Sequence, residues 1–130
     1  MIVVDASVLV TALADDGRDG DSARGRLQGE QLVAPQLIDL EVTSAWRRLA
    51  AAGHLDQRRA RFALDDLRAL RVERVPHVHL IERSWELRDS LTVYDGVYVA
   101  LAEVMAVPLL TADGRLAAAS GPRCEIELLT

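Results

Sequence analysis

Lysine is absent from this 130-residue chain: all 15 Lys-or-Arg positions are arginine, set against 20 Asp plus Glu for a formal net charge of -5. A chain of that sign is a poor non-specific binder of duplex nucleic acid, because such binding rests on basic side chains releasing counterions from phosphates. Without lysine it also cannot be a phospho-receiver signalling domain, which has a similar length and acid cluster but needs a catalytic lysine. Cysteine is nearly absent too. Cys124 stands alone, which excludes an intramolecular disulfide and suits a reducing compartment. Aromatics make up 4% of residues, too few for a platform of stacked rings that holds single strands. No apolar run is long: "VYVALAEVMAVPLL" is interrupted by Glu103 and falls short of the ~18 residues that span a bilayer. The N-terminus lacks the basic region of a signal peptide. These absences lead us to expect a cytoplasmic protein without membrane contact.

Half of the residues are hydrophobic, enough for a single domain with a proper core over residues 1–130. Residues 2–4 read as a strand that turns directly into a helix over 6–14. A polar loop, "DDGRDGD", precedes a short helix near 21–29, and "QLVAP" (31–35) reads as the second strand. Ile38, Val42, Ala45, Trp46 and Leu49 mark one face of a helix that Gly53 ends, and a further helix covers about 56–70. "RVERV" (71–75) alternates like a strand; helices are predicted over about 78–90 and 95–106. "VPLLTAD" (107–113) is strand and turn, followed by a short helix and a last strand in "CEIELL" (124–129). Alternating strands and helices imply an α/β fold around a mainly parallel sheet, whose sites form beyond the carboxyl ends of strands.

Four acids stand where that rule looks for them. Asp5 ends the first strand, between apolar runs where a carboxylate is costly unless compensated. Asp113 follows "PLLT", Asp95 opens an almost wholly apolar helix, and Glu41 lies beside the buried stripe of its own helix. Each has a plain structural reading: Asp95 as an N-cap, Asp113 as a turn residue, Glu41 as a solvated helical acid. Together in one cleft they would repel, and would need protons or a hard cation such as Mg²⁺ or Mn²⁺. No zinc set competes, since His54, His77 and His79 lie away from these motifs.

In this order, "VVDASVLV", "LEVTSAW", "YDGVYVALAEV" and "LLTAD" resemble the PIN-domain ribonucleases, specifically the VapC toxins of bacterial toxin–antitoxin pairs. The resemblance runs from Met1 to about Ala119. It implies an α/β/α sandwich with a central, mainly parallel sheet of about five strands. It also implies Mg²⁺- or Mn²⁺-dependent hydrolysis of RNA phosphodiesters, a homodimer, and a cognate VapB-type antitoxin that plugs the acidic cleft. The family's metal-binding acids map onto Asp5, Glu41, Asp95 and Asp113, and its hydroxyl positions onto Ser7 and Thr111. Asp5 and Asp113 are then direct ligands, Asp95 a ligand directly or through water, and Glu41 a water-mediated ligand or general base. Ser7 either steers a carboxylate or is an ordinary first-turn residue; Thr111 either joins it or is simply a β-branched strand residue.

Two positions depart from the family pattern. Gly96 replaces the usual alanine, which by helix propensity should loosen that helix start by up to ~1 kcal/mol. Ser44 replaces a frequent asparagine. Asp39, Asp89 and Asp16 are unmatched candidates for a fifth acid. For RNA binding the basic candidates are Arg47 and Arg48 behind Trp46, and a stripe of Arg58, Arg61 and Arg68 whose solvated alternative is ion pairing with Asp65. Tyr94, Tyr98 and Trp85 are expected in the core or at an interface. A HAD-like phosphotransferase is excluded, because Ser7 stands where its second aspartate belongs. The alternatives that remain are a housekeeping RNA-processing nuclease and a non-catalytic PIN-like protein that only binds a partner.

Overall fold

The computed structural model describes all 130 residues. Five strands form: β1 (Ile2–Val4), β2 (Leu32–Pro35), β3 (Val72–Val75), β4 (Leu109–Thr111) and β5 (Ile126–Leu128). All pair in parallel, in the order β3-β2-β1-β4-β5. The central strand β1 is buried along its whole length, as a parallel strand with covered faces must be, and Val3 faces Val33 on one side and Leu109 on the other. The chain builds β2 and β3 on one side of β1, then returns to build β4 and β5 on the other. Strand order therefore reverses at the β1–β4 pair, and a crevice is expected beyond the carboxyl ends of those two strands.

Seven helices cover the sheet. Helices α2 (Arg18–Leu27), α3 (Ile38–Ala51) and α4 (Gln57–Ala69) pack around α1 (Ala6–Ala14), while α5 (Ile81–Glu86) packs on α6 (Val93–Met105), which lies over β1, β2 and β4. The short α7 (Gly114–Ala118) sits against β4 and β5. The expected α/β sandwich is thus present, with its sheet wholly parallel.

Arginines close exposed ends of this framework. The terminal carbonyls of a helix have no partner within it. At the end of α1, Arg24 donates to Ala12 O (2.9 Å) and Asp15 O (2.8 Å), and Arg59 donates to Leu13 O (2.8 Å). Trp46 Nε1 donates to Val10 O (3.1 Å), tying α3 to the same helix. Arg26 bridges Glu30 and Glu127, holding the edge strand β5 against α2.

Boundaries differ from expectation in three places, and the first is α2, which begins at Arg18 inside the expected polar loop rather than near residue 21. The helix predicted over 78–90 is a 3-10 turn (Val78–Leu80) followed by α5, which stops at Glu86. Beyond it Arg88 N bonds to Trp85 O and Ser90 N to Leu87 O, three residues back, and this tighter winding buries both Leu87 and Leu91. The last long helix begins at Val93 rather than 95, because Thr92 is its N-cap: Thr92 Oγ1 accepts from Asp95 N (3.1 Å). Asp95 is therefore a first-turn residue whose carboxylate is free of capping.

Gly96 is not a weak helix start. A Cβ built there would lie 2.6 Å from Ser84 Oγ and 3.2 Å from Ser84 Cα, so glycine allows α5 to approach α6 closely. Ser84 is fully buried and donates to Val93 O (2.5 Å), filling the space a methyl group would take. Gly96→Ala should therefore destabilise the protein by about 1–3 kcal/mol through overpacking, despite its better helix propensity. The Gly96→Ala/Ser84→Ala double variant should lose less than the sum of the singles, read from urea midpoints. A more stable Gly96→Ala single variant would contradict this packing.

Candidate active site

Asp5 is the first residue after β1 and sits at the N-cap of α1, yet its side chain caps nothing. It is only 6% exposed. Its Oδ2 instead accepts two hydroxyl protons, from Ser7 Oγ at 2.5 Å and Thr111 Oγ1 at 2.9 Å. Those hydroxyls are oriented in turn by the chain leaving β4: Ser7 Oγ accepts from Ala112 N (3.0 Å) and Thr111 Oγ1 from Asp113 N (3.0 Å). A hydroxyl that accepts an amide proton has its own proton available for Asp5. This arrangement joins the ends of β1 and β4 across the crevice, and it gives Ser7 and Thr111 a definite task.

The remaining acids arrive from three helices. Asp113 is the N-cap of α7: its Oδ1 accepts from Arg115 N (2.9 Å), with Arg115 Nε 3.6 Å away. Asp95 is half-buried in the first turn of α6, where a helix N-terminus favours negative charge. Glu41, in the first turn of α3, is half-buried and its Oε1 accepts from Tyr98 Oη at 2.6 Å.

These acids act on one another. Burial raises the pKa of Asp5 above the ordinary aspartate range, against the hydrogen bonds from Ser7 and Thr111. Burial also raises that of Glu41; the Tyr98 hydrogen bond opposes it, and the charges of Asp5 and Asp95 push it further up. Asp95 is raised by burial and then by Asp5 and Asp113, with Thr92 and Arg115 opposing. Three carboxyls thus resist ionisation at a common place, and Asp113 bears on the same group. Such a set suits a hard cation. No three acidic, histidine or cysteine side chains yet surround one point as ligands; the carboxylates are turned toward their hydroxyl, phenol and amide donors.

Other candidates fall elsewhere. Asp39 forms a bidentate pair with Arg74 (2.6 and 3.0 Å) and Asp16 with Arg59 (2.9 and 3.1 Å), so both serve as structural ion pairs. Arg61 and Arg68 both bind Asp65, and Arg58 lies over the Phe62 ring. This is the solvated, ion-paired reading of the stripe. Arg48 donates to Ser44 Oγ (3.1 Å), and Arg47 is exposed. None of these arginines acts on the raised carboxyls, whereas Arg115 does, with a side chain 95% exposed. Sequence reading passed over Arg115, although its place two residues beyond Asp113 was a usable signal. Tyr98, expected in the core or at an interface, is core, and its hydroxyl reaches the candidate site. Trp85 and Tyr94 are exposed, which leaves the interface as the expectation still open for them.

The PIN-domain family profile matches residues 2–122. Ribonuclease VapC1 of Mycobacterium tuberculosis is 48% identical over 128 residues, covering 98% of this chain and 96% of that protein. Among solved structures, PAE2754 of Pyrobaculum aerophilum superposes with a TM-score of 0.69 at 28% identity, covering 96% of this chain and 81% of that one. A toxin–antitoxin complex from Klebsiella pneumoniae has a chain with a TM-score of 0.67 at 19% identity, covering 100% and 98%. At that identity the likeness is one of fold. Matched along nearly all of its length by a VapC ribonuclease and over residues 2–122 by the family profile, this chain belongs to the PIN-domain family, on its VapC branch.

Proposed function

We propose that the chain is a divalent-cation-dependent endoribonuclease, the toxin of a type II toxin–antitoxin pair, silenced by a VapB-type antitoxin. One observation carries the reading. Asp5, Glu41 and Asp95 are withdrawn from water and repel each other beside the reversal of strand order, with no cationic side chain buried among them. The near-half identity to a protein named a VapC ribonuclease supports the reaction and favours a toxin over a housekeeping nuclease. The fold shared with a chain of a toxin–antitoxin complex supports a protein partner. The homodimer and the cytoplasmic location implied by the family resemblance are part of the same proposal. Val78, Ile81, Trp85 and Tyr94 supply exposed apolar surface for a second copy. No helix is long and apolar enough to cross a membrane.

Asp5, Asp95 and Asp113 are the residues that would hold Mg²⁺ or Mn²⁺, with Glu41 acting through water or as general base. When bound, such an ion supplies Lewis-acid stabilisation of the phosphate and a more acidic water. The protein's own contribution is positional. Ser7 and Thr111 fix the Asp5 carboxylate, and the turn amides that orient them keep β4 and Asp113 in register with it. Arg115, exposed beside Asp113, is placed to meet a phosphate of an RNA strand entering the cleft. Arg47 and Arg48, on α3 beyond Glu41, would contact flanking backbone, whereas Arg61 is already committed to Asp65.

The decisive experiment incubates the purified chain with single-stranded RNA and Mg²⁺ or Mn²⁺, with chelator as control. Wild type should cut and Asp5→Asn should not; failure of wild type to cut at any metal concentration would favour the non-catalytic alternative.

Without metal, Asp5→Asn should be more thermally stable than wild type. Carboxyls raised in the folded state destabilise it once ionised, so this advantage is absent below about pH 4, where both folded and unfolded forms are protonated, and grows as pH rises through the raised values. Added Mg²⁺ should raise the melting temperature of wild type and leave Asp5→Asn nearly unchanged. A constant stability difference between pH 4 and 8 would remove Asp5 from the repulsive cluster.

Replacing Arg115 by alanine should raise KM for RNA by about five- to twentyfold, the value of one charge-assisted phosphate contact. Arg61→Ala should change KM by less than about twofold, since exposed ion pairs contribute little. Steady-state cleavage of a fluorogenic oligonucleotide at fixed salt distinguishes the two.

A further inference from the structure

We infer that Tyr98 is a positioning residue that holds Oε1 of Glu41 and so sets the direction from which Glu41 meets the carboxylate cluster. The inference rests on the ribonuclease reading and assigns a task within it to a side chain that otherwise passes for packing. Tyr98 lies three residues beyond Asp95 on α6, on the neighbouring part of the same helix face. It is fully buried, and its hydroxyl reaches across to α3, 2.6 Å from Glu41 Oε1. That is a short O–H···O hydrogen bond. A carboxylate only accepts, so the phenol hydroxyl is the donor of this bond.

Two constraints make this more than packing. A buried phenol is costly unless its hydroxyl is paired, and Glu41 is its hydrogen-bond partner. Phenylalanine would fill the same volume without that requirement. Glutamate, in turn, has three rotatable bonds, and the Tyr98 hydroxyl is the hydrogen-bond donor that holds its carboxylate. Tyr98 occupies one lone pair of Oε1, which leaves Oε2 as the freer of the two oxygens. The bond therefore fixes the direction of the carboxylate and fits a role exercised chiefly through Oε2.

A double-mutant cycle on the full-length chain tests this, with Tyr98→Phe, Glu41→Ala and the combination. Tyr98→Phe keeps the ring and should fold. It should lower kcat on an RNA oligonucleotide about tenfold while leaving KM within about twofold, because Glu41 is misdirected but the RNA contacts remain. It should also weaken Mn²⁺ binding by about threefold or more, measured by calorimetric titration without RNA, since a pre-aimed donor is lost. In the Glu41→Ala background Tyr98→Phe should change Mn²⁺ affinity by less than about twofold, because the two act as a unit. Unchanged kcat and Mn²⁺ affinity in Tyr98→Phe would overturn the inference, as would equal losses with and without Glu41. Should wild type bind Mn²⁺ but cleave no RNA, the ribonuclease reading fails, while the Mn²⁺ cycle still decides whether Tyr98 holds Glu41.

Discussion

Repulsion among carboxylates is the constraint around which this molecule is arranged. Asp5, Glu41, Asp95 and Asp113 come from four separate stretches of chain and meet where the strand order reverses beside β1. Placing them together costs folding free energy, and the chain offsets it with neutral donors rather than buried cations. Two hydroxyls serve Asp5, a phenol serves Glu41, and a backbone amide serves Asp113. Neutral donors stabilise the ionised forms without cancelling the cluster's negative charge. A buried arginine would have made the fold more comfortable and left the cleft unable to attract a cation.

The arginines are spent elsewhere, and their distribution accounts for an acidic protein that works on a polyanion. Arg24 and Arg59 close the end of α1, Arg26 ties β5 to α2, Arg74 ties α3 to β3, and Arg83 grips Glu103 and Gly121 O. Each uses the planar fork of guanidinium for several bonds in one geometry, which an ammonium group could not reproduce. Arg115 is left exposed beside Asp113, where its charge acts on Asp95.

Close helix packing serves the same site. Thr92 caps α6 so that the Asp95 carboxylate need not, and Gly96 lets Ser84 of α5 press against the first turn of α6. The helix end carrying Asp95 is thus held from both sides, and one turn on, the same helix supplies Tyr98 to Glu41. A propensity scale sees a poor helix former at position 96; the packed structure needs one there.

Much of this was legible in the amino-acid order. Alternating elements, the four acids at strand and helix starts, and the oddity of Asp5 among apolar residues are local patterns, because period and burial preference are set by neighbours in the chain. The exposure of Trp85 and Tyr94, the broken helix after Glu86, the pairing of Asp39 and Asp16 with arginines, and the double duty of Tyr98 were not legible. Each depends on what another segment brings to within a few ångströms. Sequence alone determined which groups can ionise and which elements carry them. Only the tertiary structure decided that residues 5 and 111 share a hydrogen bond, and that oxygens from α3 and α6 face each other, because Coulomb and hydrogen-bond energies follow distance in space rather than separation along the chain.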